Sequence, residues 1–424
     1  MKFDNATDFI KWVESQKRFS KKESLDKMHY LMKLFDNPQN KFKSIHITGT
    51  NGKVSTVAML RSILMDKGLN VATFTSPYIT VFNERIGYNG YNISNDNLIK
   101  YANQILEKYD QIEKDGYEPL TFFEFITVLA FIYFSNIEGL DVALIEVGMG
   151  GRLDCTNVIT PILSMLTNVA LDHMQVLGDT LDKILVEKLG IVKNNVGIAI
   201  GVKDESLRKI ANEYVKNHNS FVKYSSLNDL TIKKCDTNLS IFDYKDYSNI
   251  ELGLIGYHQI ENAILVIEAF EVIKDIFDLS KENLYSGLKN VKWQGRLEVV
   301  SKDPYILVDG GHNIDGLTRI CEFVKTLNYN NKRAVISISH DKELTEMIKL
   351  IDETFDEIIF TKYAYARSAE VDTIFEMSNH QNKQKTENVQ DAINYVYNNK
   401  VDFTIFVGSL YLVSEVRDII LNKK

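Results

Sequence analysis

Residues Ser44 to Thr56, Ser-Ile-His-Ile-Thr-Gly-Thr-Asn-Gly-Lys-Val-Ser-Thr, constrain this chain more than any other stretch. Ile45 to Thr48 read as a short buried strand, Gly49 and Gly52 open a tight turn, and Val57 to Leu64 continue at helical spacing. Strand, glycine turn, lysine and helix together describe a phosphate cradle. Glycines let consecutive backbone N–H groups converge on a polyphosphate, the helix start adds partial positive charge, and Lys53 adds a point charge. The strict nucleotide-loop pattern is not met, because Ile47 stands where its first glycine belongs and Val54 where its hydroxyl residue belongs. An ordinary strand-to-helix turn with a solvated lysine accounts for the same residues, so the choice rests on the residues downstream.

A chain of 424 residues exceeds one hydrophobic core, and two or three domains are expected. The net charge of -8 excludes a nucleic acid or an acidic membrane held over a broad face, so an anionic ligand must sit in a local pocket. Cys155, Cys235 and Cys321 are odd in number and widely spaced, with no metal-type pairing, which fits a reducing cytosol. Met1 to Lys17 lacks the apolar core of a signal peptide, and the apolar run Phe125 to Phe134 is about half of what spans a bilayer. A cytoplasmic protein is expected.

After the loop, Val71 to Thr75 reads as a second strand, followed by Thr75-Ser76-Pro77-Tyr78 and Phe82-Asn83-Glu84-Arg85-Ile86. Ser76 stands past a strand end, where open parallel sheets bind ligands, and its hydroxyl is able to ligate magnesium in place of the one Val54 lacks. A Ser-Pro there also serves as a plain turn. Thr121-Phe122-Phe123-Glu124 opens a long apolar helix leading to the strand Val142 to Val147, which carries Glu146. A carboxylate ending a buried strand is costly unless it is paired or binds a cation, and magnesium-nucleotide chemistry needs such an oxygen ligand. It also serves to cap the next turn, Gly148-Met149-Gly150-Gly151-Arg152.

Ile162 to Leu166 gives another strand, with Asn168 to His173 at its end, so His173 is placed to converge with Ser76 and Glu146. Thr180 to Leu189 reads as a helix, and nothing in its pattern separates Lys188 from a solvated lysine. Residues 196–255 read as strand, helix and an antiparallel edge. From Gly256 an apolar helix starts, and Asn262 in it either reads an adenine edge or serves the first turn. Val291 to Glu298 looks like a linker ending in a strand, and the domain boundary is placed there. The remaining residues alternate strand and helix, which implies a second, smaller parallel sheet with Asp309-Gly310-Gly311-His312-Asn313 at its first strand end.

Nine motifs occur in order along nearly the whole chain: Thr-Gly-Thr-Asn-Gly-Lys-x-Ser, Thr-Ser-Pro-x(5)-Asn-Glu-Arg-Ile, Ile-Glu-Val-Gly-x-Gly-Gly-Arg-Leu-Asp, Ala-Leu-Asp-His, Glu-Lys-x-Gly-Ile, Gly-x-His-Gln-x-x-Asn-Ala, Trp-x-Gly-Arg-Leu-Glu, Asp-Gly-x-His-Asn and Gly-Ser-Leu-Tyr-Leu. The set resembles the folylpolyglutamate synthases of the Mur ligase superfamily, some bacterial members of which are also dihydrofolate synthases. The resemblance implies an α/β protein: a P-loop-type, mostly parallel ATP-binding domain over residues 1–294 and a smaller Rossmann-like ligase domain over 295–424.

It also implies ATP-dependent addition of L-glutamate to a folate, or also to dihydropteroate, through an acyl phosphate. ATP phosphates are then held by Gly49, Thr50, Asn51, Gly52, Lys53, Val54 and Ser55, and Mg2+ by Ser76, Glu146 and His173. Lys188 matches the lysine that the family carries as a carbamate. Asn262, Arg296 and Asp309 match positions that contact ATP, with His312 beside them as a catalytic candidate. Thr121, Phe122, Phe123 and Glu124, with Leu153, Asp154 and Cys155, match segments lining the pterin pocket. The partners expected are small-molecule substrates alone, with no nucleic acid and no membrane, and the protein is expected to be a monomer.

The sequence departs from the family at Val54, where glycine is usual, and a β-branched residue restricts the backbone and adds bulk beside the phosphates. Two alternatives therefore stand beside the folate ligase. One is a non-catalytic or weakly active folate-binding paralogue, and the other is a Mur-type cell-wall amide ligase, which the motifs around Ser76 and Trp293 disfavour.

Overall fold

Ser44–Thr48 forms strand β1, buried along its whole length between two parallel neighbours. Its run of β-branched side chains suits a strand covered on both faces. The computed structural model describes residues 2–17, 24–340 and 342–421, so Met1 of the N-terminal stretch lies outside them. The chain divides into two units, Met1–Leu230 with Glu261–Asn290, and Thr231–Ile260 with Val291–Lys424. Residues 231–260 group with the second unit, and the last crossing between the units falls at 290.

In the first unit, β1 belongs to an eight-stranded sheet completed by β2 (Val71–Phe74), β3 (Ile86–Tyr88), β4 (Tyr91–Asn92), β5 (Val142–Glu146), β6 (Leu163–Leu166), β7 (Ile198–Ile200) and β8 (Val222–Tyr224). The order is β4-β3-β2-β5-β1-β6-β7-β8, parallel except for the β3–β4 hairpin at one edge. Because β1 sits between β5 and β6, the carboxyl ends of β2, β5, β1 and β6 adjoin, which is where such sheets bind ligands.

Helices α1 (Ala6–Ser15) and α2 (Asp26–Leu34) present Phe9, Val13, Met28, Leu31 and Met32 to one core cluster. Helix α3 (Lys53–Asp66) follows the glycine turn, α4 (Asn95–Leu106) and α5 (Tyr109–Lys114) follow the hairpin, and α6 (Phe122–Ser135) fills the cluster with Phe125, Leu129 and Phe131. Each such fully buried side chain contributes on the order of 1.5–3 kcal/mol. The apolar run expected to be half a membrane span is this core helix, and among the described residues no helix is long and apolar enough to cross a membrane. Helices α7 (Met174–Leu177), α8 (Leu181–Leu189) and α9 (Glu205–Lys216) come next along the chain. Helix α10 (Tyr257–Phe277) runs through the crossing at 260 and leads to α11 (Lys281–Asn290). The Ser62 hydroxyl of α3 donates to the Gly287 carbonyl at 2.7 Å. A β-carbon at Gly287 would lie 2.5 Å from Cα of Ile63, so α3 and α11 touch backbone to backbone.

The second unit holds a three-stranded sheet of β9 (Leu230–Cys235), β10 (Ser240–Tyr244) and β11 (Tyr247–Leu252), in which β10 and β11 pair antiparallel. Its larger sheet is β12 (Glu298–Lys302), β13 (Tyr305–Asp309), β14 (Lys332–Ile336), β15 (Glu357–Phe360), β16 (Lys383–Lys385) and β17 (Phe403–Val407), in the order β12-β13-β17-β14-β15-β16. It is parallel apart from β12, which pairs antiparallel with β13. Helices α12 (Ile314–Thr326), α13 (Leu344–Asp352), α14 (Val371–Met377), α15 (Val389–Asn398) and α16 (Leu410–Leu421) complete the alternation expected from the sequence. Arg333 on β14 is almost fully buried and is held by Glu357, with Nη2 2.6 Å and Nε 2.7 Å from Oε2, and by the Asn399 carbonyl at 2.7 Å.

Candidate active site

The turn after β1 is stitched to the turn after β6. Thr50 N–H donates to the Asn168 carbonyl at 3.1 Å, Asn51 N–H donates to the Asn168 side-chain oxygen at 2.8 Å, and the Thr167 hydroxyl donates to the Asn51 carbonyl at 2.5 Å. Gly49 is required by space, since a β-carbon there would fall 1.8 Å from Oγ1 of Thr167. Gly52 has φ of +85°, and its β-carbon would lie 2.4 Å from the side-chain oxygen of Asn262. The turn is thus a fixed backbone concavity with Asn262 against it. The amides of Lys53, Val54 and Ser55 lie in the first turn of α3, whose donors have no acceptor within the helix.

Val54 is the second residue of α3, and it is not among the residues with positive φ. Its backbone is therefore one that a β-branched residue adopts freely, so the restriction expected from the sequence does not arise. The side chain is 7% exposed and belongs to the buried face of α3.

Lys53 folds over its own turn, with Nζ 3.1 Å from the Gly49 carbonyl and 3.2 Å from the Thr50 carbonyl, and 3.9 Å from Oε1 of Glu146. Glu146 ends β5 and is 2% exposed. Its Oε2 accepts the Ser76 amide, so the strand-end carboxylate and the residue after β2 are joined directly. His173 stands after β6 with φ of +51°, caps the short α7, and is half exposed. Its amide donates to the carboxylate of Asp172 at 2.9 Å.

Among the described residues no group of three or more His, Cys, Asp or Glu side chains is placed to hold a metal by themselves. The donor chemistry at Glu146 and Ser76 nevertheless fits a hard divalent cation. A buried carboxylate, and a serine hydroxyl on the residue whose amide it accepts, are oxygen ligands of the kind magnesium takes.

Lys188 lies in the last turn of α8 and is 3% exposed. Burial first, and then the charge of Lys53, hold its ammonium well below its ordinary value, to about 7, against the opposing pull of Asp172 and Asp154. An amine so placed is a nucleophile near neutral pH. Gly151 packs against the carbonyls of Glu187 and Lys188, which ties the glycine turn after β5 to this helix end.

Thr121 caps α6 in a reciprocal box: Glu124 N–H donates to the Thr121 hydroxyl oxygen at 3.4 Å and Thr121 N–H donates to Oε2 of Glu124 at 2.9 Å. That carboxylate also pairs with Lys27 at 2.8 Å. Glu124 therefore has a structural task within the segment expected to line a substrate pocket. Phe123 packs over Gly148, where a β-carbon would come within 2.5 Å of its ring, and Phe122 faces Arg85. Asp154 and Cys155 are buried and Leu153 is partly exposed at the turn after β5.

In the second unit, the carboxylate of Asp309 accepts the amides of Gly311 at 2.7 Å and Leu297 at 2.8 Å. Complete burial pushes this carboxyl upward, opposed by Arg296 and those amides. Nδ1 of His312 faces the Gly310 carbonyl at 2.9 Å and so carries the proton. Arg296, Asp309 and His312 thus share the end of β13.

Thr167 and Asn168, which stitch the glycine turn, and Asp172, which bears on Lys188, were not among the candidate site residues. Thr167 and Asn168 had only their position to mark them, directly past the end of a strand that adjoins β1, while Asp172 stands in the Ala-Leu-Asp-His motif.

The model of the Mur ligase middle domain matches residues 47–270, and that of the Mur ligase glutamate ligase domain matches residues 295–410. The chain is 34% identical over 427 aligned residues to the dihydrofolate synthase/folylpolyglutamate synthase of Bacillus subtilis, covering 98% of this chain and 99% of that one. It is 31% identical to the folylpolyglutamate synthase of Lacticaseibacillus casei, covering 99% and 100%. Among solved structures, the folylpolyglutamate synthase of Thermotoga maritima superimposes with a TM-score of 0.86 at 28% identity, over 99% of this chain and 97% of that one. The apo Lacticaseibacillus casei enzyme gives 0.86 at 30% identity, over 98% and 100%. With a glycine turn, a strand-end carboxylate and a buried lysine on a sheet of this order, and with likeness along its whole length, the chain belongs to the Mur ligase family, in its folylpolyglutamate synthase/dihydrofolate synthase branch.

Proposed function

We propose that this protein joins L-glutamate to a folate at the expense of ATP, as a cytoplasmic monomer acting on small molecules. The observation that carries the proposal is the cluster of Lys53, Glu146 and Ser76 at the carboxyl ends of adjoining strands beside a rigid glycine turn. The working division is an ATP-binding part over residues 1–294 and a ligase part over residues 295–424.

A carboxylate is too poor an electrophile for an amine. In the first step a carboxylate oxygen of the folate bonds to the γ-phosphorus of ATP and ADP leaves, giving an acyl phosphate. In the second step the glutamate amine attacks the acyl carbon, phosphate leaves with the electron pair, and the nitrogen loses its proton. The protein positions the groups and balances charge. Gly49 to Ser55 present amides and the start of α3 to the phosphates, and Lys53 turns from its loop carbonyls towards their outer oxygens. Asn262, against Gly52, lies where the nucleotide would reach α10, and Arg296 and Asp309 are ATP-binding positions of the second unit, with His312 beside them. Ser76, Glu146 and His173 are the residues that would hold Mg2+, which supplies charge neutralisation at the phosphate oxygens. Lys188, as a carbamate, would be an anion towards the same metal. Thr121 to Glu124 and Leu153 to Cys155 would line the acceptor pocket, Glu124 while also capping α6.

The test is ADP release with ATP, magnesium and glutamate, offering a reduced folate and dihydropteroate separately. Turnover with both means a bifunctional synthase, and turnover with folate alone means a polyglutamating enzyme. Silence with both would remove the proposal.

A further inference from the structure

His46 lies on β1, fully buried between Ile45 and Ile47 in a strand otherwise fit for apolar packing. Its Nε2 is 2.8 Å from the Thr156 hydroxyl, and that hydroxyl donates to Oδ1 of Asp154 at 2.5 Å. The Asp154 carboxylate also takes the amides of Thr156 at Oδ1 and of Met149 at Oδ2, both at 3.0 Å. The direction of the chain comes from proton counting. A hydroxyl has one proton and a carboxylate only accepts, so Thr156 gives its proton to Asp154 and accepts one from His46. The imidazole is therefore protonated at Nε2, and Nδ1 is buried with no hydrogen-bond partner among the described residues. Burial, aided by the charge of Lys193, lowers the imidazole to about 3, so the ring stays neutral and the polarity of the chain does not reverse.

A buried ring with an orphan nitrogen is a costly way to fill a strand. The cost falls on a residue whose hydrogen bond to Thr156 leads to a carboxylate at the candidate site, and that carboxylate acts electrostatically on Lys188. We propose that His46 and Thr156 are positioning residues that fix the Asp154 carboxylate as an acceptor for the N–H groups on the heterocyclic end of the acceptor substrate. This rests on the reading of Asp154 as part of the acceptor site. Neither side chain needs to touch the substrate. Each acts by restricting one carboxylate, as partners behind a ligating group do elsewhere.

The experiment compares two acceptors in the ADP-release assay: a reduced folate, and p-aminobenzoyl-glutamate, which has the same carboxylate end but no pteridine. Thr156→Val is expected to raise KM for the folate about ten-fold, the effect of one charge-assisted hydrogen bond, with KM for ATP and glutamate unchanged. Its kinetics with p-aminobenzoyl-glutamate should match wild type. Thr156→Ser, which keeps the hydroxyl, and His46→Gln, which keeps an N–H donor, should restore the folate KM to within about two-fold. Should Thr156→Val fail to fold, the double variant His46→Leu with Thr156→Val removes both partners and leaves no orphaned donor, and the same ten-fold, folate-only change is expected. Equal changes for both acceptors, or an unchanged folate KM in an active enzyme, would overturn the inference while leaving the ligase reading intact. A wild-type protein silent with folate would overturn both.

Discussion

The backbone amide of Ser76 donates to Oε2 of Glu146 at 2.9 Å, while Oε1 of the same carboxylate lies 3.9 Å from Lys53. One buried group thus joins the turn after β2 to the lysine of the glycine turn. Glu146→Gln keeps an oxygen for the Ser76 amide but removes the charge that balances Lys53 and, on the proposed reading, would attract Mg2+. Turnover should fall at least about 100-fold, as when one preorganised electrostatic group is removed from an active site. Thermal unfolding should show a folded protein. Wild-type turnover in this variant would take Glu146 out of the site.

Val54→Gly puts the family's usual residue back, yet it should not improve the enzyme. The valine is helical and buried, so glycine brings a backbone cost and a lost side chain, together about 1–3 kcal/mol of stability. Denaturant unfolding should register that loss, with kcat no higher than wild type. A large rise in kcat would show that the valine side chain obstructs the phosphates.

Lys188 makes stability depend on pH. Its folded-state value of about 7 lies below the 10.5 of an exposed lysine. Between those values the unfolded chain holds a proton that the folded chain lacks, so stability rises with pH across the window, and the full penalty is present below about 7. Lys188→Met removes this term. Measured by denaturation in bicarbonate-free buffer, the variant should exceed wild type at pH ~6 by on the order of a few kcal/mol, with the gap narrowing towards pH ~10. A gap that widened with rising pH would contradict the buried, unmodified amine.

In the second unit, Arg333 and Glu357 are a buried pair with Nη2 2.6 Å from Oε2. Glu357→Ala strands the guanidinium and should cost about 3–5 kcal/mol, whereas Arg333→Met with Glu357→Met should recover most of it. Chemical denaturation of the three proteins measures both. If the single variant lost less than about 1 kcal/mol, the pair would be a surface-like bridge.

Much of the fold is legible because its signals are local. β1 and α3 announce themselves through a β-branched run, two glycines and a change of period, and α6 through an apolar run behind a Thr-x-x-Glu box. The β3–β4 hairpin was not, since strands of three and two residues carry no period, and neither was β16, whose Lys-Gln-Lys is polar at a sheet edge. Within the candidate site, the position of Glu146 at a strand end is plain from the residues around it. The stitching by Asn168 is not, because it depends on β6 lying beside β1, a relation of sheet order. The burial of Lys188 was also hidden, since its helix reads as amphipathic and its neighbours come from distant turns.

The chain leaves its first unit after Leu230 and returns to it at Glu261 for thirty residues, which carry the backbone contact between Gly287 and Ile63. A break at 230 would therefore strip α11 from α3, the helix that begins at the glycine turn, and a break at 290 would leave the first unit carrying an orphaned insert. No single cut yields two whole parts. The two units are thus not beads to be shuffled by gene fusion, and a recombination event that keeps nucleotide and ligase functions must carry both stretches of the first unit together.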